Sequence, residues 1–276
     1  NLDYDKENPI PQLLDLKLSN VCNLRCRMCG PQASSSIAKE LNILNPYYLE
    51  NKIIATDNQS TFFEEILPNL KYIELTGGEP FVSQENKKLI QLISNTEYAK
   101  NIIIKLTTNG MFYNPVIMDN MKNFKEVRII ISVDDIEERL EYARGNSDWN
   151  KIKANIKLII ENYSEFNVLV YRTINIFNVY YLNELDAWCY DNQVNITNGL
   201  LHQPKYLNIQ HLPDWAKEKV NKKFNNDKKY ESILSFMNVD SEHMLEDFYE
   251  HTNFFDDKRN EDFRKVYKEW SEILLW

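Results

Sequence analysis

Cysteine is scarce in this chain. Four among 276 residues are too few for the disulfide framework of a secreted scaffold of this size. Glycine and proline are scarce too, at 6 and 9, which excludes collagen-like and loop-dominated chains. No apolar run approaches the roughly 20 residues that a membrane helix needs, so no membrane partner is expected. No charged segment followed by an apolar stretch opens the chain, so no secretory signal is read. A reducing cytoplasm is the expected location. An excess of positive charge is missing as well. With a formal net charge of -9 and a pI of about 5.1, the chain has no broad basic face for a nucleic-acid backbone, and only a local basic groove stays open. What is present is ordinary globular composition: 43% hydrophobic and 26% charged residues, enough to exclude a disordered chain. A mass of 32.8 kDa leaves ample core for one large domain or two small ones. The chain opens at Asn1 and not at methionine, which leaves room for residues upstream. Sequons at Asn58 and Asn162 are explained by the abundance of asparagine.

The clearest pattern is alternation of strand and helix. Residues 13–19 (LLDLKLS) alternate apolar and polar and predict a strand. A helix is predicted over 34–44, with Ser34 to Ser36 as caps. Strands at 72–75, 102–106, 127–133, 168–176 and 194–201 then interleave with helices at 84–94, 116–121, 150–163 and 182–190. Such repetition argues for parallel βα units that wind with one hand. The fold class expected is α/β, a partial (β/α)6 TIM-like barrel of parallel strands with a helical C-terminal extension. Residues 1–12 read as a lead-in, 13–202 as the barrel core and 203–276 as the extension, punctuated by Pro204 and Pro213.

Three of the four cysteines, Cys22, Cys26 and Cys29, form C-x3-C-x2-C in the loop after the first strand. Thiolates bind soft metals and iron–sulfur clusters, and three of them on a cubane leave one iron open to a substrate or cofactor. Two other readings compete. A structural zinc usually takes four protein ligands, but the next histidine is His202 and the next cysteine Cys189. Three buried structural cysteines are the second alternative, disfavoured by Asn23, Arg25 and Arg27 between them. Cys189 itself, beside Trp188, reads as a free buried thiol.

In parallel βα barrels, reactive groups collect at the C-terminal ends of strands. The second strand runs into Gly77-Gly78-Glu79-Pro80. Two glycines let the backbone approach a ligand, and a backbone carbonyl or Glu79 is placed to accept from an ammonium group; the alternative is an ordinary glycine turn. The third strand runs into Thr107-Thr108-Asn109-Gly110, whose hydroxyls and amide suit a ribose or a carboxylate, or simply a turn. The fourth runs into Ser132-Val133-Asp134-Asp135, where Asp135 faces substrate or caps a helix. Arg144, beside Gly145, suits bidentate pairing with a carboxylate, or sits on the surface. Thr173 and Asn175 share one strand face, aimed at a ligand or bonded within the barrel floor.

The segment VCNLRCRMCG at 21–30 resembles the cluster loop of radical S-adenosylmethionine (radical SAM) enzymes, and the resemblance extends over about 13–201. It implies a [4Fe-4S] cluster on Cys22, Cys26 and Cys29, and S-adenosylmethionine bound through its amino and carboxylate groups. It further implies that Gly77, Gly78, Glu79 and Pro80 match the GGEP motif that contacts the methionine amino group. Thr108, Asn109, Ser132, Asp134, Arg144 and Asn175 are the other cofactor residues so implied, and Met28 stands where the family keeps an apolar residue against adenine. Asp135 departs from the glycine common at that point. One electron from the cluster then cleaves a carbon–sulfur bond, giving methionine and a 5′-deoxyadenosyl radical that abstracts hydrogen from a substrate. The phrases PQLLDLKLSNVCNLRCRMCGPQ, YARGNSDWNKIKANI and YLNIQHLP resemble the SPASM/twitch branch, which implies a peptide or protein side chain as substrate. That branch usually carries further cysteines for auxiliary clusters, whereas only Cys189 remains here. Either there is no auxiliary cluster, or its ligands lie upstream of Asn1. Modification of a small molecule or nucleoside is the alternative within the class, and an iron–sulfur electron-transfer module is the alternative outside it. An electron donor such as flavodoxin or ferredoxin is an implied partner.

Overall fold

The computed structural model describes residues 10–43, 63 and 65–276. Residues 1–9 of the expected lead-in, the Leu44 end of the helix expected over 34–44 and the sequon at Asn58 lie outside them. Six strands form one sheet. The chain divides into two compact units, and helices alternate with the strands in both.

The first unit comprises Asn1–Arg25, Cys29–Ser132 and Asn150–Leu169. Its strands are β1 (Leu13–Leu16), β3 (Tyr72–Leu75), β4 (Ile103–Thr108) and β5 (Glu126–Ser132). All three pairings are parallel, with Leu13 opposite Tyr72, Tyr72 opposite Ile103 and Ile103 opposite Glu126. Parallel strands place all their C-terminal ends along one edge, so residues 16, 75, 108 and 132 lead into loops on the same side. β4 alternates half-buried and buried residues, with Ile104 and Leu106 in the core beside Ile73, Ile129 and Ile131. The connecting helices begin at polar caps. Ser34 caps α1 (Ser35–Glu40), Ser83 caps α2 (Gln84–Ser94), and Asn114 followed by a proline opens α3 (Pro115–Met121). Ile152, Ile156 and Ile159, spaced for one helix face, are buried.

Asn86, in the first turn of α2, is fully buried, yet among the described residues both polar atoms of its amide lack a hydrogen-bond partner. A buried orphan amide costs about 1–3 kcal/mol. Asn86→Leu keeps the branched shape and is expected to raise stability by about 1 kcal/mol once the added volume is accommodated. Urea unfolding of the two proteins measures this. An unchanged or lowered midpoint would show the site to be overpacked.

The second unit comprises Cys26–Met28, Val133–Trp149 and Val170–Trp276. It holds α4 (Glu137–Ala143), the two-residue strand β6 (Arg144–Gly145) paired with β2 (Arg25–Cys26), most of β7 (Asn167–Ile174), α6 (Leu182–Asp191) and β8 (Asn195–Leu200). Helix α5 (Trp149–Asn162) precedes β7. After Leu200 come α7 (Asp214–Phe224), α8 (Glu231–Met237), α9 (Leu245–Arg259), α10 (Phe263–Val266) and α11 (Lys268–Ile273), the expected helical extension. Its residues share one aromatic core with the preceding strand ends. Trp270 stacks on Tyr180 at 5.2 Å between ring centroids and donates from Nε1 to the Ile176 carbonyl at 2.8 Å. Arg172 of β7, wholly shielded, donates to Asn198, to the Leu182 carbonyl and to Asp186, and Asp186 also takes Tyr230 and Lys229. Among the described residues no helix is long and apolar enough to cross a membrane.

Burial and the positive charges of Arg27 and Arg259 hold the imidazole of His251 in α9 down at about 4. An unfolded histidine protonates near pH 6.5. Between about 6.5 and 4 the unfolded state therefore binds more protons, and native stability falls as the pH falls. The ring lies between Tyr206 and Phe255, centroids 4.4 and 4.8 Å away, so His251→Phe fits the same slot. That change is expected to remove about 3 kcal/mol of acid sensitivity across the window. Unfolding curves at pH 7 and 4.5 measure it, and equal losses in both proteins would clear His251 of the effect.

Two sequence expectations shift. The first strand ends at Leu16 and not at 19, because the chain turns at Ser19 and Asn20 into the cysteine loop. The short helix α4 and the β2–β6 ladder went unread, since elements of seven and two residues leave no period to detect.

Candidate active site

The cysteine loop has residues in both units, and the contacts within each unit are described in turn. In the first, the serines at the start of α1 do more than cap a helix. Ser34 Oγ donates to the Leu24 carbonyl at 2.8 Å, Ser36 Oγ donates to the Cys22 carbonyl at 2.6 Å, and Cys22 N–H donates to Ser35 Oγ at 3.3 Å. Leu24 N–H points at Cys22 Sγ, 3.4 Å away. Cys22 and Cys29 are half-buried.

The loops after β3 and β4 meet this loop through one carboxylate. Glu79 is fully buried and accepts from Thr108 Oγ1 at 2.7 Å, from Asn109 N–H at 2.7 Å and from Phe81 N–H at 3.1 Å. Asn109 Nδ2 then donates to Asn23 Oδ1 at 2.8 Å, inside the cysteine loop. Glu79 N–H donates to the Val21 carbonyl at 2.8 Å. Gly78 lies at φ +55°, and a Cβ there would stand 2.4 Å from the Val21 carbonyl oxygen. Only glycine permits that approach. Of the two acceptors read in the sequence, Glu79 is therefore occupied as a brace. Pro80, Thr108 and Asn109 are buried and Ser132 is half-buried.

In the second unit Cys26 is 5% exposed, and Met28 rests against the aromatic core of the helical extension. Arg144, in the ladder facing β2, gives its Nε to Asp134 Oδ2 at 2.7 Å. Asp134 Oδ1 takes the Thr173 N–H at 2.8 Å. The buried Asp134 thus orients the arginine, and one edge of the guanidinium is spent on it. Asn175 is fully buried and its amide is used locally, accepting from Phe177 N–H and donating to the Thr173 carbonyl. It serves the turn after β7, the floor-bonding alternative weighed above. Asp135 accepts from Ile136 N–H and pairs with Arg139 at 3.0 Å, and burial outweighs that partner to push its carboxyl up to about 6. Sequence reasoning missed Arg27, which donates to Asp256 and Glu261 and lies over the Tyr142 ring. No local signal separates it from the neighbouring Arg25.

The four cysteines are thiols and are not joined in disulfides. Among the described residues no three His, Cys, Asp or Glu side chains converge as ligands of a single ion would. Three cysteine thiols within eight residues suit a cubane cluster, in which each iron takes its own thiolate. A polar depression of about 300 Å³, lined by Asp214, Lys217, Glu218, Asn221, Asn238 and Asp240, lies in the extension and contains none of these groups.

The profile of the Radical SAM superfamily matches residues 16–186. Two curated proteins similar to the chain are GTP 3′,8-cyclases. That of Aquifex aeolicus (strain VF5) is 32% identical over 151 residues, 53% of this chain and 42% of the relative. That of Syntrophomonas wolfei is 27% identical over 176 residues, 62% and 50% respectively. The chain thus spans half or less of the length of these curated relatives. Among solved structures, native anSMEcpe with bound AdoMet and Cp18Cys peptide aligns with a TM-score of 0.55 at 16% identity, over 82% of this chain and 61% of that one. A histidine-tagged form of anSMEcpe with bound AdoMet gives 0.57 at 17%, over 83% and 60%. At that identity the likeness is one of fold, a partial α/β barrel. These likenesses reach the superfamily and do not single out the SPASM/twitch branch.

Proposed function

We propose, from the premise that the chain belongs to the radical SAM superfamily, that it abstracts hydrogen from a small molecule of nucleotide type. Members of the superfamily are enzymes that use a [4Fe-4S] cluster and S-adenosylmethionine. When bound, these supply one-electron cleavage of a carbon–sulfur bond and a hydrogen-abstracting carbon radical. Cys22, Cys26 and Cys29 are the thiolate donors in this reading. The carbonyls of the Gly77–Pro80 turn take the ammonium group, and Arg144, steadied by Asp134, takes the carboxylate. Ser132 faces the ribose, Thr108 and Asn109 hold the Glu79 brace behind it, and Met28 packs on the adenine. The observation that carries the reading is the Glu79 brace, because it locks the turn after β3, the turn after β4 and, through Asn109, the cysteine loop into one assembly. An electron-transfer module has no use for such a cradle.

The peptide side chain expected from sequence phrases gives way to the small-molecule alternative, since the similar curated proteins act on GTP. Reduced flavodoxin or ferredoxin is the proposed electron source. Anaerobic reconstitution with iron and sulfide, followed by dithionite, S-adenosylmethionine and deuterated GTP or ATP, tests both parts. Iron uptake and deuterium in the released 5′-deoxyadenosine are expected. Zinc in place of iron would end the cluster assignment. Cleavage with no deuterium transfer from any nucleotide, but transfer from a peptide, would restore the peptide reading.

A further inference from the structure

We propose that Arg27 and Asp256 form a positioning pair by which helix α9 holds Cys26 and the residue after it in their working place. The inference rests on the reading that the triplet carries the cluster, and it concerns only residues within the second unit. Arg27 stands between the second and third cysteines, and its side chain is 0% exposed. Its Nη2 donates to Asp256 Oδ1 at 2.6 Å and to Glu261 Oε2 at 2.5 Å, its Nη1 to the Thr252 carbonyl at 3.3 Å and its Nε to the Tyr142 carbonyl at 3.1 Å. The guanidinium lies 3.7 Å from the Tyr142 ring centroid, and the Arg27 backbone N–H donates to the Ala143 carbonyl at 2.9 Å. Asp256 is fixed in turn. Its Oδ1 also takes Tyr142 Oη–H at 2.6 Å and its Oδ2 takes Phe263 N–H at 2.8 Å.

Burying a guanidinium is costly unless its donors are met and its charge paired. A loop that needed only polarity at this point would be served by an exposed lysine. A planar fork engaged on three sides fixes direction as well as distance, which lysine cannot do. Because Arg27 directly follows Cys26, fixing Arg27 fixes the chain on which Cys26 is carried, and Cys26 is itself 5% exposed. Both spend their polar atoms on protein partners, so both are positioning residues. The extension thereby fixes a cysteine that is far from it in sequence.

Asp256→Asn in the full chain tests this, since the amide keeps the volume and removes the charge. The first readout needs no iron: thiol alkylation of the metal-free protein, resolved by residue in mass spectrometry, with the buried Cys189 as internal reference. Cys26 is expected to react about tenfold faster than in the wild type through local opening, with Cys189 unchanged. After reconstitution, the electron paramagnetic resonance of the reduced cluster with S-adenosylmethionine is expected to change, and Asp256→Glu to restore it in part. Wild-type alkylation of Cys26 in Asp256→Asn would overturn the pair. So would joint exposure of Cys26 and Cys189 in both Asp256→Asn and the milder Glu261→Gln, because the residues would then serve only the fold. If wild-type protein takes up no iron while the Cys26-selective effect stands, the cluster assignment fails and the clamp survives.

Discussion

Cys26→Ala is expected to leave a protein that folds, stays colourless after anaerobic reconstitution and releases no 5′-deoxyadenosine above background. Losing a partner behind a metal ligand costs about 10–100-fold, and losing the ligand itself costs more. Two remaining thiolates cannot hold a cubane with a defined open iron. The matched control is Cys189→Ala. Cys189 is 1% exposed, and burial followed by the charge of Asp186 pushes its thiol up to about 12, so at neutral pH it is a packed thiol and no ligand. Iron and sulfide analysis and chromatography of the quenched reaction separate the two variants. A coloured, active Cys26→Ala protein would dismiss the triplet as the cluster site.

Glu79→Gln is expected to be nearly as damaging, although it changes one atom. The carboxylate accepts from three donors, two backbone N–H groups and the Thr108 hydroxyl. A carboxamide has one acceptor oxygen and turns an NH2 toward the remaining donors. Breaking a buried charged network costs about 3 kcal/mol or more. In a chain of this length that is a fall in Tm of roughly 6–12 °C. The turn carbonyls also lose their fixed direction, so affinity for S-adenosylmethionine is expected to fall by at least about tenfold. Calorimetry and equilibrium dialysis measure the two effects. Normal binding in a protein of lowered Tm would confine Glu79 to stability.

Much of this was legible in the sequence because the governing signals are local. Strands of four to eight residues with buried alternation showed themselves, and so did the cysteine spacing and the glycine pair after β3. Local patterns also pointed to the loops after the strands. They did not show which atoms of those loops face inward. Glu79 reads as a ligand-binding carboxylate until its three donors are seen, and Asn175 reads as inward-facing until its amide is found closing a turn. Arg27 lies 229 positions from Asp256, and nothing within a window of ordinary length marks it. The substrate class was the least legible, because the resemblance lies in the shared barrel and not in residues that would contact a substrate.

That separation bears on when the protein can be metallated. Contacts between distant positions form late, after the intervening chain has been made and collapsed. While the ribosome is still adding residues beyond 202, the cysteines have emerged but α9 has not, and the arginine between them has no counter-charge. An assembly factor delivering iron and sulfide at that stage would meet an unanchored segment. Loading is therefore expected to follow release of the finished polypeptide.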